Sequence, residues 1–147
     1  MKTLGLNCRG LGNPETVRDL PDVARKEDPK IVFLMETQLE VRSLEFLHIR
    51  LGMGNCFGVD RHGYGGGLAL LWDSSVNLHI RSFSHHHIDA EFHEDAGFWW
   101  RITGFYGYPE VARRHLSWSL LRQLHSLSTL PWMVFGDFNE IVSLDEK

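Results

Sequence analysis

The chain is poor in the features that would set it apart from ordinary globular proteins. Only 2 of its 147 residues are cysteine. Cys8 and Cys56 form neither a Cys-x-x-Cys pair nor a Cys/His zinc spacing, so a disulfide framework and a zinc finger are excluded and a reducing compartment is expected. Positive charge is not in excess either: 15 Lys and Arg stand against 19 Asp and Glu, a formal charge of −4. No global field draws the chain to nucleic acid, and any phosphate contact must be local or metal-assisted. Long apolar runs are missing as well. The longest, Leu68 to Trp72, cannot cross a bilayer, and the opening Met1 to Asn7 is too short for a signal peptide, so a soluble, intracellular protein with no membrane partner is expected. The glycine-rich Gly63 to Gly67 lacks the Lys-Ser/Thr of a phosphate-binding loop and precedes a strand, which makes it a flexible hairpin connection. What is present suffices for a core: 43% hydrophobic residues, with 5 Trp and 9 Phe, in a length that suits one domain or a piece of a larger one.

Periodicity along the chain alternates between that of strands and that of helices. Thr3 to Asn7 reads as a strand closed by the turn Arg9-Gly10-Leu11-Gly12. Asn13 stands as an N-cap before Pro14, and Val17, Leu20, Val23 and Ala24 space a helix to Lys26, in which Pro21 predicts a kink or two short helices. After Pro29, the continuous run Ile31 to Met35 reads as a strand buried on both faces. Val41, Leu44, Leu47 and Leu51 space a second helix that stops at Gly52 and Gly54. Five strand-like runs follow at intervals of roughly ten residues, the pattern of a meander: Phe57 to Asp60, Gly67 to Trp72, Val76 to Phe83, His86 to His93 and Phe98 to Tyr106. A third helix is expected to carry Val111, Trp118, Leu121, Leu124 and Leu127 inward, with Arg113, Arg114 and Arg122 outside. Pro131 restarts a strand, Trp132 to Phe135, that delivers Gly136-Asp137-Phe138-Asn139. The order indicates a mixed α/β domain with helices covering sheets.

In such sheets, chemistry gathers where strands hand polar residues to loops. Four places stand out: Asn7, Glu36, Tyr106 and the pair Asp137 and Asn139. Glu36 ends a fully apolar run, so its carboxylate lies at a rim, where hard Mg²⁺ takes one or two carboxylates with waters and phosphate oxygens. Asp137 and Asn139, two apart on an extended segment, point the same way and can address one water and one phosphate oxygen. Each also has a plain reading: Asn7 as a turn former, Glu36 as a helix-entry or solvent residue, Tyr106 as a buried ring in a turn, Asp137 and Asn139 as a turn cap. Their joint occurrence in this order is what informs. His85, His87, Asp89, Glu91 and His93 share a strand face that reads as solvated, with no third ligand evident for zinc. Arg113-Arg114-His115 reads as a solvated basic turn, with a nucleic-acid backbone contact as its alternative.

Taken together, five segments resemble the endonuclease/exonuclease/phosphatase family: Leu6-Asn7-Cys8-Arg9-Gly10-Leu11-Gly12, Phe33-Leu34-Met35-Glu36-Thr37, Gly66-Gly67-Leu68-Ala69-Leu70-Leu71-Trp72, Ile102-Thr103-Gly104-Phe105-Tyr106-Gly107 and Pro131 through Glu140. His87-Ile88-Asp89 and the run Trp100 to Gly107 look most like the endonuclease domain of plant LINE-type (non-LTR) retrotransposons. The resemblance covers essentially all of residues 1–147, read as one partial domain. It implies a four-layered α/β sandwich of the deoxyribonuclease I-like kind, here its N-terminal portion only. It also implies Mg²⁺ or Mn²⁺ dependence, DNA as partner and a nuclear location. By the same resemblance Glu36 would ligate the metal with Asn7 beside it, Tyr106 would hydrogen-bond the scissile phosphate, Asp137 would orient or activate water, and Asn139 would help hold developing charge.

Two departures qualify that expectation. Gly107-Tyr108-Pro109-Glu110 puts a glutamate where the family often carries asparagine. The family's late Asp and its Ser-Asp-His motif have no counterpart, since no histidine follows His125. The chain is therefore expected to be a fragment of a DNA-nicking phosphodiesterase, weakly active or inactive. The alternatives are a non-catalytic remnant or interaction protein that self-associates through an exposed sheet edge, or a small-phosphate esterase on the same scaffold.

Overall fold

The computed structural model describes residues 2–8, 14–39, 41–62, 65–94 and 97–139. Among these, strands β1 (Thr3–Asn7), β2 (Ile31–Met35), β3 (Asn55–His62) and β4 (Gly65–Trp72) form one sheet in the order β1-β2-β4-β3. Strands β5 (Val76–Ser84), β6 (His87–Glu94), β7 (Trp100–Tyr106) and β8 (Trp132–Asp137) form a second sheet in sequence order. Helices α1 (Pro14–Glu27) and α2 (Val41–Arg50) belong with the first sheet, and α3 (Arg114–His125), entered through a 3₁₀ turn at Val111–Arg113, with the second.

Period-2 alternation divides the buried apolar residues of the first sheet between two cores. Ile31, Phe33 and Met35 of β2 and Leu68 and Leu70 of β4 meet Ile88, Ala90 and Phe92 of β6 and Ile102 of β7 between the sheets. Val32, Leu34, Ala69 and Leu71 point the other way, onto Leu20, Leu44 and Leu47 of the helices. β2 is buried along its whole length, which is why its sequence is unbroken Ile-Val-Phe-Leu-Met. Helix, sheet, sheet and helix make the four-layered sandwich. The two sheets approach closely where side chains are absent: a Cβ on Gly104 would enter the Phe33 ring, and one on Gly5 would meet the Phe135 ring at 2.9 Å.

Several expectations need correction. The five runs after α2 are not one meander; β4 turns back to pair antiparallel with β2, and the chain crosses at Asp73 to open the second sheet with β5. Two-sided burial of β2 demands a partner on its free edge, and β4 supplies it. α1 is one helix despite Pro21; burial of Leu20 and Ala24 on either side of the proline offsets the lost hydrogen bond. Gly65 to Gly67 belong to β4, whereas Phe98 and Trp99 precede β7 and are exposed. α3 buries Ser117 and Leu124, while Val111, Trp118 and Leu127 are exposed, because Val111 lies in the preceding turn and Leu127 beyond the helix end. The turn at Arg9 to Gly12 and the Asn13 cap lie outside the described residues.

His87 and Asp89 are buried rather than solvated, since α3 covers their face of the second sheet. Arg101 Nε donates to both Asp89 oxygens at 2.9 and 3.1 Å, and its Nη1 donates to the Leu124 carbonyl at 2.5 Å. The Thr103 hydroxyl donates to Asp89 Oδ1, and Trp132 Nε1 donates to Thr103 Oγ1 at 2.8 Å. A charge pair this deep is held by its hydrogen bonds as much as by attraction, and it ties α3 to β6, β7 and β8.

Candidate active site at the rim of the two sheets

Three strand ends converge. β1 and β2 run parallel with Asn7 opposite Met35, so exposed Asn7 stands beside the step to Glu36. β7 and β8 run parallel with Tyr106 opposite Asp137. Parallel neighbours deliver their C-terminal residues to the same edge, and face-to-face packing lays the two edges together.

The segment after β2 is held rigidly. Thr37 N–H donates to the Gly67 carbonyl at 3.2 Å and Gln38 N–H to the Gly66 carbonyl at 2.8 Å, while Thr37 is wholly buried. Gly67 has φ +92°, and a Cβ there would strike Thr37 Oγ1, so glycine is required on both counts. Glu36 itself has φ 51° and Asn139 φ 53°. Asparagine tolerates this left-handed region, but glutamate does so at a cost, and such costs persist where surrounding structure holds a side chain in place.

Across the gap between the sheets, Tyr106 Oη donates to Glu36 Oε1 at 2.7 Å. Burial first, then the hydrogen bond to Glu36 and that residue's charge, push the Tyr106 hydroxyl up to about 12; the Asp137 charge acts in the same direction and a hydrogen bond with Asn139 opposes it. Tyr106 therefore stays a neutral donor, and its hydroxyl senses all three partners.

Asp137 and Asn139 are fixed by a local network. Gly107 N–H donates to the Asp137 carbonyl at 2.7 Å, Asn139 N–H to Asp137 Oδ1 at 2.8 Å, and Asn139 Nδ2 to the Gly107 carbonyl at 2.7 Å. The turn-capping role open to this pair is thus present, and it leaves Asp137 Oδ2 without a hydrogen bond among the described residues. The chain paths cross so tightly that a Cβ on Gly107 would overlap the Phe138 carbonyl.

The structure brings Glu36, Tyr106, Asp137 and Asn139 to one place, with Asn7 on the adjoining strand end. Among the described residues no group of three or more His, Cys, Asp or Glu could hold a metal. A cation taking one carboxylate, an amide, waters and substrate oxygens needs no such group, and among the described residues Glu36 Oε2 is uncommitted while Oε1 is engaged; the donors fit Mg²⁺ or Mn²⁺. Cys8 lies near Glu36, and burial first, then the Glu36 charge, push its thiol up to about 12, which makes it inert.

Sequence reasoning passed over His86. Its Nδ1 lies 2.7 Å from the Tyr106 carbonyl, its own carbonyl accepts the Tyr106 N–H, and its ring stacks on Tyr108. The usable signal was its place beside β7 in a hairpin whose register could be counted from the turn at Ser84 to His87.

A profile described as Endonuclease/Exonuclease/phosphatase family matches residues 4–147. No curated protein sequence matches. Among solved structures, humanized D. rerio TDP2 superposes with a TM-score of 0.70 at 19% identity, over 95% of this chain and 66% of its own. The endonuclease domain of TRAS1, a telomere-specific non-LTR retrotransposon, gives 0.67 at 12%, over 95% and 59%. The 3′ phosphatase NExo from Neisseria, bound to product DNA hairpin, gives 0.66 at 14%, over 97% and 58%. The chain spans between about half and two thirds of the length of the solved structures it matches.

Proposed function

The chain belongs to the endonuclease/exonuclease/phosphatase family, and from that premise we propose that it carries the Glu36 portion of a divalent-cation-dependent phosphodiesterase site of the DNA-nicking, retrotransposon type. The observation that carries this is the 2.7 Å hydrogen bond from Tyr106 to Glu36 across the two sheets, at a hydroxyl that also senses Asp137 and Asn139. Glu36, with Asn7 beside it, would hold Mg²⁺ or Mn²⁺, whose chemistry is to neutralise phosphate charge and stabilise the leaving oxygen. Tyr106 has a single hydroxyl proton, given to Glu36 in the unliganded site; with Glu36 engaged by the cation, that proton would turn to a phosphate oxygen. Asp137 Oδ2 accepts the proton of the attacking water, and the Asn139 amide faces the developing charge. DNA as substrate is supported by the DNA-bound NExo and TDP2 structures of the same fold, and retrotransposon origin by the TRAS1 domain together with the Trp100 to Gly107 run.

Residues 1–147 span about two thirds or less of the matched structures, so nicking by this portion on its own is expected to be orders of magnitude slower than by a domain of their full length. Supercoiled plasmid incubated with Mg²⁺ tests this. The expected result is slow, EDTA-sensitive relaxation that Glu36→Gln removes; relaxation indifferent to both would contradict it. A second reading, a non-catalytic interaction protein, is favoured by one feature: an apolar groove of Trp118, Leu121, Trp132, Val134 and Phe138 between α3 and β8. Light scattering that shows concentration-dependent association, abolished by Trp118→Ser, would support it; a monomer at all concentrations would dismiss it.

A further inference from the structure

Arg113 ends a stacked column that starts at the candidate site. The His86 ring lies nearly parallel to Tyr106, 12° between planes with centroids 6.4 Å apart, and directly against Tyr108 at 3.6 Å and 15°. The Arg113 guanidinium lies 5.0 Å over the Tyr108 ring. The two middle rings are pinned: His86 by its ring nitrogen at the Tyr106 carbonyl, and Tyr108 by its N–H, which donates to the buried Ser117 hydroxyl at 2.9 Å. Arg113 is exposed, and its guanidinium makes no hydrogen bond or ion pair among the described residues. Stacking thus orients a planar fork of five N–H donors while leaving all of them uncommitted, and that geometry suits phosphate oxygens better than a freely rotating cation does. With a net charge of −4, the chain must win phosphate by local contacts of this kind.

Building on the phosphodiesterase reading above, we propose that Arg113, held on Tyr108 and His86, binds a backbone phosphate of the nucleic-acid strand that flanks the phosphate at Tyr106. The role is positional: it sets the register of the strand and touches no reacting atom. Arg114, next in sequence, adds charge to the same turn, whereas exposed Glu110 opposes it.

Fluorescence anisotropy with a short labelled DNA duplex, titrated over a salt series in EDTA so that no cleavage competes, tests the proposal. Arg113→Ala should weaken binding several-fold on any sequence and lower the slope of log K against log salt by about one. Arg113→Lys should restore the slope but not the full affinity, Tyr108→Leu should lose affinity with little change in slope, and Glu110→Gln should tighten binding. Arg25→Ala, on the ion-paired outer face of α1, is the control expected to change nothing. If the wild-type chain binds DNA and Arg113→Ala keeps both slope and affinity, this inference falls and the phosphodiesterase reading stands. If the wild-type chain shows no salt-sensitive DNA binding, both fall.

Discussion

Glu36 carries a functional carboxylate on a backbone that disfavours it, and that conflict can be measured. Glu36→Ala and Glu36→Gly both delete the carboxylate and its hydrogen bond to Tyr106, so their difference isolates the backbone cost at φ 51°. The glycine variant should be the more stable by about 1 kcal/mol in urea unfolding, because the left-handed region costs an L side chain about that much. Equal stability would mean that the segment relaxes. Tyr106 offers a spectroscopic counterpart. Its hydroxyl is pushed up to about 12 from the ordinary 10, so folding favours the protonated form; that contribution is complete below pH 10 and is lost as pH rises toward 12. Tyrosinate absorbance should therefore show a late component above pH 11 that Tyr106→Phe removes. A wild-type titration finished by pH 10.5 would contradict the placement. Both residues were legible in the sequence as the first polar positions after apolar runs. The strain at Glu36 and the stacking at His86 were not, because φ and ring contact are set by partners far along the chain, such as Gly67 and Tyr108.

The segment boundaries of β1, β2 and β5 followed from apolar runs and turn residues, since local pattern decides where a buried strand starts and stops. Which sheet a strand joins is decided by pairing with distant partners, so the break between β4 and β5 had no local sign. The face of β6 was misread for a related reason: alternation shows that His87 and Asp89 share a side, but α3 determines that the side is covered. The polar network there should be costly to break. Asp89→Ala leaves the Arg101 charge buried and should destabilise by about 3–5 kcal/mol, whereas Thr103→Val, which strands only the Trp132 N–H, should cost about 1–2 kcal/mol. Urea midpoints of the two variants compare them directly; an Asp89→Ala loss below that of Thr103→Val would show that the pair contributes little net stability.

The candidate site is made by sheet-on-sheet packing: Glu36 comes from one sheet, and Tyr106, Asp137 and Asn139 from the other. Its geometry therefore depends on the contacts of Phe33 with Gly104 and Phe135, whose ring centroid lies 5.5 Å from that of Phe33. Gly104→Val would drive a branched side chain into the Phe33 ring and should cost about 1–3 kcal/mol, and by separating the sheets it should weaken any ligand held between them. The measurement that decides the matter is Mn²⁺ binding, by electron paramagnetic resonance, to the wild-type chain, to Glu36→Gln and to Glu91→Gln, whose carboxylate is paired with Arg81 at 2.8 Å. One ion bound by the wild type and by Glu91→Gln, and lost in Glu36→Gln, is the expected result. Mn²⁺ held with unchanged affinity by Glu36→Gln would contradict a cation-assisted site built on that carboxylate.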